Sequence, residues 1–466
     1  MTRVQSVRIA GSFAFALIAS QASAEPRPPE AGVGAAPSNA GDRYSLSARS
    51  ETVILLFRRA LLPGANGVLV DTQTALPIHE SLAVQARDVD TPWQADSLDF
   101  EFSGWGHAEP APSEFEAPFD GDVQSANVRY HSRLFWVRAG RQYAAGGAAR
   151  FVRFDGVTLG ADAGLGPFVV AYGGYAALPR WDRRPGYRHL GAAEGAISSY
   201  AERELERGRH LLFGGQAGYR ARSARAALSF HEQREEGGTE RRDVGLDFEV
   251  ASSELVSGGG SAIVELDSRS FSTLRLWADL VPSRSLALGV EFHRADPALL
   301  LSRMSVLSVF AGGSYDEAGV NASLRACSWL SFESSGLLER YADGRNGARG
   351  EIAARLVSGG TRRTTLRTAY ARVLAPLNGY HSLRLSLARA LTSRLGSTFE
   401  AYGYFYDRSI RGFPTSSVYA ATLAYRALDS LELLWGGSVA HSPYAALDAQ
   451  TLVRASWDFD DSGGSR

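Results

Sequence analysis

The sequence predicts an all-β fold: an antiparallel barrel that crosses an outer membrane with its strands. Three features predict it. From Ser97 onward, apolar and charged residues alternate with a period of two. The connections between these segments switch between tight turns and long links. Almost no long apolar run exists from which membrane helices could be built.

The alternation is explicit segment by segment. SLDFEFSGW sets Leu98, Phe100 and Phe102 against Asp99, Glu101 and Ser103, and DVGLDFEV sets Val244, Leu246 and Phe248 against Asp243, Asp247 and Glu249. STLRLWADL, SLALGVEFH, GVNASLRA and HSLRLSLA repeat the pattern. Charges fall on one face only, so the sheet is apolar on one side and wet on the other.

Short polar or glycine turns at Gly164, Arg222, Ser252, Val281, Ser358, Thr392 and Leu428 interleave with variable links. The longest links are Pro110–Gly121, Pro179–Gly208 and Ala295–Ser314. Tight turns at one rim and longer loops at the other give a barrel with short periplasmic turns and longer extracellular loops. An open sheet of so many strands would expose its edges, and closure removes them. A soluble sandwich or propeller would bury the charged face at high cost, and no blade-length repeat is present. The expected count is about 18 strands, within a range of about 16–20, enclosing water rather than packed side chains.

The remaining organisation follows. Arg3 and Arg8, the apolar run Gly11–Ser20 and the Ala22-Ser23-Ala24 pattern form a secretory signal peptide over residues 1–24. Residues 25–42, rich in Pro, Gly, Ala and Ser, read as a flexible leader. Residues 43–96 hold strands of the barrel, or a periplasmic or plug segment. The barrel proper is expected over residues 97–459, with a polar tail at 460–466.

Composition narrows the function. The 466 residues carry 49 basic against 50 acidic side chains, a net charge of −1, which excludes a broadly basic nucleic-acid surface. Every basic residue is an arginine; the codon usage of a GC-rich genome is the leading explanation, and the fork of arginine onto carboxylates and phosphates is the functional alternative. A single cysteine, Cys327, leaves no internal disulfide. Stability must therefore come from size, closure or the membrane.

The wet face is where transport chemistry would sit. Arg138, Gln142, Arg150, Arg153, Asp155, Arg275, Arg325, Arg355, Arg367, Arg384 and Arg454 are the expected pore-lining residues. Such a wall offers a moving anion a series of weak sites. The competing reading is that these charges pair across strands and stiffen the wall. The stretch Pro179–Gly208 is expected to fold as a lumen lid or as a surface loop. An outer-membrane hydrolase is the remaining class, but His231, His293, His381 and His441 come with no serine motif and no metal-ligand spacing. No enzymatic activity, cofactor or metal is expected. AGGAAR lacks the spacing of a phosphate loop.

One stretch carries a resemblance. VRAGRQ, a glycine loop and RFVRFDGV supply Arg138, Gly140, Arg141, Gln142, Gly146, Gly147, Arg153, Asp155 and Gly156. This arrangement resembles alginate-export-type outer-membrane barrels, and the strand pattern over residues 97–459 is similar to polysaccharide-secretion barrels. The resemblance implies outer-membrane lipid around the barrel. It also implies export of an anionic exopolysaccharide through an arginine-lined lumen, with a periplasmic polysaccharide-export partner. A general or solute-specific porin is the alternative. The chain departs from the family at its end, where the aromatic pair Trp457 and Phe459 is followed by a polar tail to Arg466.

Overall fold

The computed structural model describes residues 44–462 apart from 62–71, 91–95, 109, 111–118, 178–209, 236–237, 252, 254, 297–312, 360–362, 377 and 444. The expected signal peptide (1–24), leader (25–42) and lid (Pro179–Gly208) lie outside the described residues, as does most of the polar tail.

The chain runs through β1 (Ser45–Leu61), β2 (Thr72–Ala75), β3 (Ile78–Asp90), β4 (Ser97–Ala108), β5 (Phe119–His131) and β6 (Phe135–Ala145). A single 3-10 turn at Gly147–Ala149 leads to β7 (Phe151–Asp162), β8 (Gly166–Ala176), β9 (Leu211–Arg220), β10 (Ala224–Glu235) and β11 (Gly238–Ala251). Next come β12 (Val256–Glu265), β13 (Ser270–Ser283), β14 (Leu286–Ala295), β15 (Tyr315–Cys327), β16 (Leu330–Tyr341) and β17 (Asn346–Val357). The wall ends with β18 (Thr364–Leu374), β19 (Tyr380–Ala390), β20 (Leu395–Ile410), β21 (Phe413–Leu428), β22 (Leu431–Ser442) and β23 (Ala445–Ser462).

Apart from β2, which pairs with β1, successive strands pair antiparallel with their neighbours. The sheet closes where β1 meets β23, from Ser45↔Ser462 to Leu61↔Ala445. β2 and β3 both pair with β1 and are two pieces of one strand, broken at Leu76-Pro77 because proline cannot donate to the ladder. The Pro77 carbonyl accepts instead from Leu55 N at 3.0 Å. Among the described residues the closed wall therefore has 22 strands rather than about 18. The difference has a physical cause. Several hairpins on the long-loop rim turn as tightly as those on the other, at Leu266–Arg269 and Arg411–Gly412 for instance, so the sequence lacks loop punctuation there.

The turns near Gly164, Arg222, Ser252, Thr392 and Leu428 share one rim with Ser45 and Ser462. Outward positions carry Phe100, Phe102, Leu276, Val290, Val320, Leu383 and Val453, all exposed. Tyr219, Trp329, Tyr425, Trp457 and Phe459, also exposed, stand outward near the tight-turn rim, a girdle of the type that sits at a membrane interface. Asp243, Arg275 and Glu291 occupy the opposite parity, facing the lumen. Buried polar side chains, among them Gln142, Ser229, His231 and Asp243, concentrate on the inner face of β6–β12. That is where something packs inside the barrel.

The two faces predict opposite tolerances. Val320→Arg, on the outer face of β15, should cost about 2–4 kcal/mol in urea unfolding from lipid vesicles, whereas Ser323→Arg on its lumen face should cost about 1 kcal/mol or less. Equal costs would contradict the assigned faces.

Candidate functional site

The lumen site is built by the β6–β7 hairpin. β6 pairs with β5 only from His131↔Trp136 to Ala126↔Arg141. Beyond that it leaves the wall, while β7 stays paired with β8 as far as Phe154↔Ala176. The departure point is Gly140, whose φ is +119° and where a Cβ would stand 2.2 Å from the Ala126 carbonyl oxygen. Only glycine fits there. Asn127 Nδ2 donates to the Arg141 carbonyl at 3.2 Å and caps the end of the ladder.

The hairpin tip lands on the inner wall at β10–β12. Ala148 N donates to Ser229 Oγ at 2.8 Å, and Arg241 Nη2 donates to the Ala148 carbonyl at 3.2 Å. Arg150, at φ 56°, donates to Ser272 Oγ and lies 3.7 Å from Asp243, which also pairs with Arg241. The tip fits because β11 has Gly245 beneath it. A Cβ there would stand 2.5 Å from Ser229 Oγ and 2.8 Å from Ala148 N. Behind the hairpin Phe154 and Leu212 are fully buried, and the Phe154 ring lies 5.7 Å from that of Tyr172. The Tyr172 hydroxyl is in turn 3.0 Å from His231 Nδ1. The pinned hairpin thus narrows the pore.

A second group lies nearer the tight-turn rim. Arg129 and Arg138 stand directly opposite each other on β5 and β6. Their guanidinium carbons sit 4.4 and 5.8 Å from the Trp136 ring centre, and the indole occupies the space a Cβ on Gly160 would need. Like charges directly opposite are unfavourable. The cation–π contacts, together with Asp99 and Glu101 on β4, offset part of that cost. The acids are engaged elsewhere: Asp99 with His131 at 3.1 Å and Glu101 with Ser125 at 2.9 Å. Both arginine Nε atoms are buried without a hydrogen-bond partner. Two half-buried guanidiniums with unsatisfied Nε atoms thus lie together on an aromatic floor, the donor chemistry that an anion takes.

The expected pore-lining residues therefore divide. Arg138 belongs to this pair. Gln142 does not line the pore: its Nε2 donates to the Gly156 carbonyl at 2.9 Å, its Oε1 accepts from Thr158 at 2.8 Å, and it is fully buried. Arg153 is likewise buried, tied to Asp122 at 2.6 Å and to the Ala177 carbonyl at 2.9 Å. Arg150 is the hairpin's peg rather than a charge at the pore mouth. Arg141 and Asp155 form a bidentate pair at 2.7 Å. Arg275 faces the lumen opposite His293.

On the far wall Arg325, Arg355, Arg367 and Arg384 share the inner face of β15–β19. Acids interrupt the row. Arg367 bridges Glu333 at 3.2 Å and Glu351 at 3.1 Å, Arg384 lies 3.7 Å from Glu351, and Arg454 meets Glu432 at 3.1 Å. Cross-strand pairing accounts for these. Sequence reasoning left Ser229, Gly245 and Ser272 out of the site. Their contacts join residues 81 and 122 positions apart, and nothing local marks them.

No protein-family model matches the chain, and no curated protein matches it in sequence. Among solved structures the chain is similar to the outer membrane protein OpdK of Pseudomonas aeruginosa, with 10% identity, a TM-score of 0.43, and coverage of 89% of this chain and 99% of that one. It is also similar to OccK9 (OpdG) of Pseudomonas aeruginosa, with 12% identity, a TM-score of 0.44, and coverage of 90% and 98%. The Acinetobacter baumannii protein OccAB4 gives 8% identity, a TM-score of 0.44, and coverage of 89% and 98%.

The pinned hairpin makes its own prediction. Gly245→Ala places a methyl where the tip rests, costing about 1–3 kcal/mol by overpacking and lifting the hairpin. Single-channel conductance in planar bilayers should rise above wild type. Unchanged conductance from a stably folded variant would show that the tip does not set the constriction.

Proposed function

We propose that the protein is an outer-membrane channel through which small hydrophilic anions diffuse, with carboxylates favoured. The observation that carries this reading is the Arg129–Arg138 pair over Trp136, whose buried Nε atoms have no partner. The pair suits one carboxylate, with each guanidinium offering a forked donor set. The lining of the far wall supports the same reading. A polyanion sliding through the lumen needs a continuous unpaired cationic track, and Glu333, Glu351 and Glu432 interrupt it. The outward apolar face and the aromatic girdle favour a membrane-spanning setting. Solutes would enter from the long-loop side, pass the hairpin constriction and reach the arginine pair near the opposite rim.

Export of an anionic exopolysaccharide is the second reading. It is favoured by the 22-strand wall, which encloses a lumen roughly 40 Å across between backbones, and by Arg325 and Arg355, which flank Ser331 on the inner face of β15–β17. A deletion strain that loses surface polysaccharide while still synthesising it would support export over solute uptake.

The first reading is tested on the pair itself. Arg129→Gln with Arg138→Gln should lower the anion-to-cation permeability ratio in reconstituted bilayers by about tenfold, the effect of removing two desolvated charges from a selectivity site. Arg325→Gln with Arg355→Gln should change it by about twofold or less. The reverse ranking would move the selectivity site to the far wall.

A further inference from the structure

The outer face of the wall changes character with height. An apolar band about 25 Å tall, crossed by strands tilted about 40°, takes roughly ten residues of each strand. At that distance from the tight-turn rim, outward charges begin on β10–β20. Arg234 and Arg242 share Glu232, at 2.5 and 3.1 Å. Arg294 and Arg340 flank Asp316 directly across β14–β16, with Arg294 at 3.7 Å. Arg372 holds Asp407 through two bonds of 2.6 and 2.8 Å, with His381 opposite it on β19. These charges stand about eight to twelve residues from the tight-turn ends of their strands. On the β1–β3 arc the outward acid Glu80 accepts instead from the hydroxyls of Ser50, at 2.6 Å, and Thr52. The arginines therefore concentrate on one arc of the long-loop edge.

Below that arc the apolar face is not smooth. Two hollows of about 540 and 660 Å³ lie side by side on the outer face of β14–β21, within the size of small-ligand clefts. Ile352 and Tyr370, opposite each other on β17 and β18, form the ridge between them. One hollow runs past Leu385 and Gly403 to Tyr419, and the other runs from Val290 over Gly336 and Gly350 to Arg372. The second is open because those two outward residues lack side chains: a Cβ would meet nothing nearer than 4.0 Å on Gly336 and 3.8 Å on Gly350. Apolar chains that fill such hollows gain contacts that a flat wall does not offer.

The register joins the charges to the hollows. Ala348, next above Gly350 on the outward face of β17, lies diagonally between Arg340 on β16 and Arg372 on β18. Diagonal neighbours in a sheet are about 7–8 Å apart, within reach of long side chains. An acidic group resting over Ala348 is therefore accessible to both guanidiniums. Arg294, Arg340 and Arg372 stand against the two carboxylates of Asp316 and Asp407, so the arc keeps a positive excess.

We infer that the outer face of β14–β20 binds a phosphate-headed lipid of the leaflet on the long-loop side. The phosphate lies over Ala348 between Arg340 and Arg372, and two acyl tails descend into the hollows on either side of Ile352 and Tyr370. Forked guanidinium donors match phosphate oxygens, and the position at the edge of the apolar band matches a lipid head. The inference rests on the barrel spanning a membrane, and its test separates the two.

The test uses the full chain, purified in dodecyl maltoside and titrated with dimyristoyl phosphatidate, with bound lipid counted by native mass spectrometry. Dimyristoylglycerol, with the same tails and no phosphate, should bind about tenfold more weakly. Excess inorganic phosphate should not displace the bound phosphatidate. Arg340→Gln with Arg372→Gln should weaken phosphatidate binding by about tenfold. Gly350→Leu, which keeps both arginines and fills a hollow, should weaken it by a similar factor. Arg234→Gln with Arg242→Gln, on the same arc but outside both hollows, should change it by about twofold or less. Equal binding of the two lipids, displacement by inorganic phosphate, wild-type binding by Gly350→Leu, or an equal loss in the β10–β11 variant would each overturn the site. The comparison of lipids on the wild-type chain stands even if a substitution prevents folding. The membrane reading is tested apart from this: a wild-type chain that does not float with phosphatidylcholine vesicles overturns it, whatever lipid the chain binds in detergent.

Discussion

Everything in this molecule depends on satisfying the backbone of a closed sheet whose outward face is apolar. A strand edge in lipid leaves its N–H and C=O groups without water, so the sheet must return on itself. β1 and β23 do this over the full length of both strands. Once the wall is closed, period-2 alternation assigns the side chains of the paired strands to the outer face or the lumen, and the lumen face is free to carry charge. The joint above Ala126↔Arg141 is an informative exception: where the ladder stops, the Arg141 and Arg153 guanidiniums donate to the Val123 carbonyl.

The lumen charges serve different ends. Most arginines whose partners are known form cross-strand pairs that stiffen the wall, as Arg367 does with Glu333 and Glu351. Arg150 and Arg241 instead fix the hairpin tip against β10–β13. Arg129 and Arg138 are placed against one another with their acids drawn away to His131 and Ser125. Their position near the tight-turn rim puts the pair beyond the hairpin, so in the proposed channel the hairpin would sort by size before the pair sorts by charge.

Much of the wall was legible in the sequence because alternation is a local property. SLDFEFSGW, STLRLWADL and HSLRLSLA all take the faces their pattern predicts. The strand count was less legible, since turns such as Arg411-Gly412 interrupt the pattern too briefly to register. Residues near the opening of the hairpin were only partly legible. Arg138 follows the period-2 rule, but the rule fails above Gly140, where β6 leaves the wall and the faces roll. Gln142 and Arg153 are consequently buried, although alternation or loop position would put them in water. The partners Ser229, Gly245 and Ser272 could be identified only once the barrel brought them under the tip.

The closure of the wall also has a kinetic meaning. The Ser456–Glu51 hydrogen bond in the β1–β23 joint links residues 405 positions apart. Bringing the ends of so long a chain together costs about 5 kcal/mol in loop entropy, roughly twice the cost for an adjacent hairpin. Joining these two strands is thus the step of highest contact order, and such steps are slow. Until it happens the assembled hairpins form a sheet with two open edges, each complementary to the other. A neighbouring copy presents the same pair of edges. Local concentration during assembly therefore decides between a ring made by one chain and a sheet continued through two.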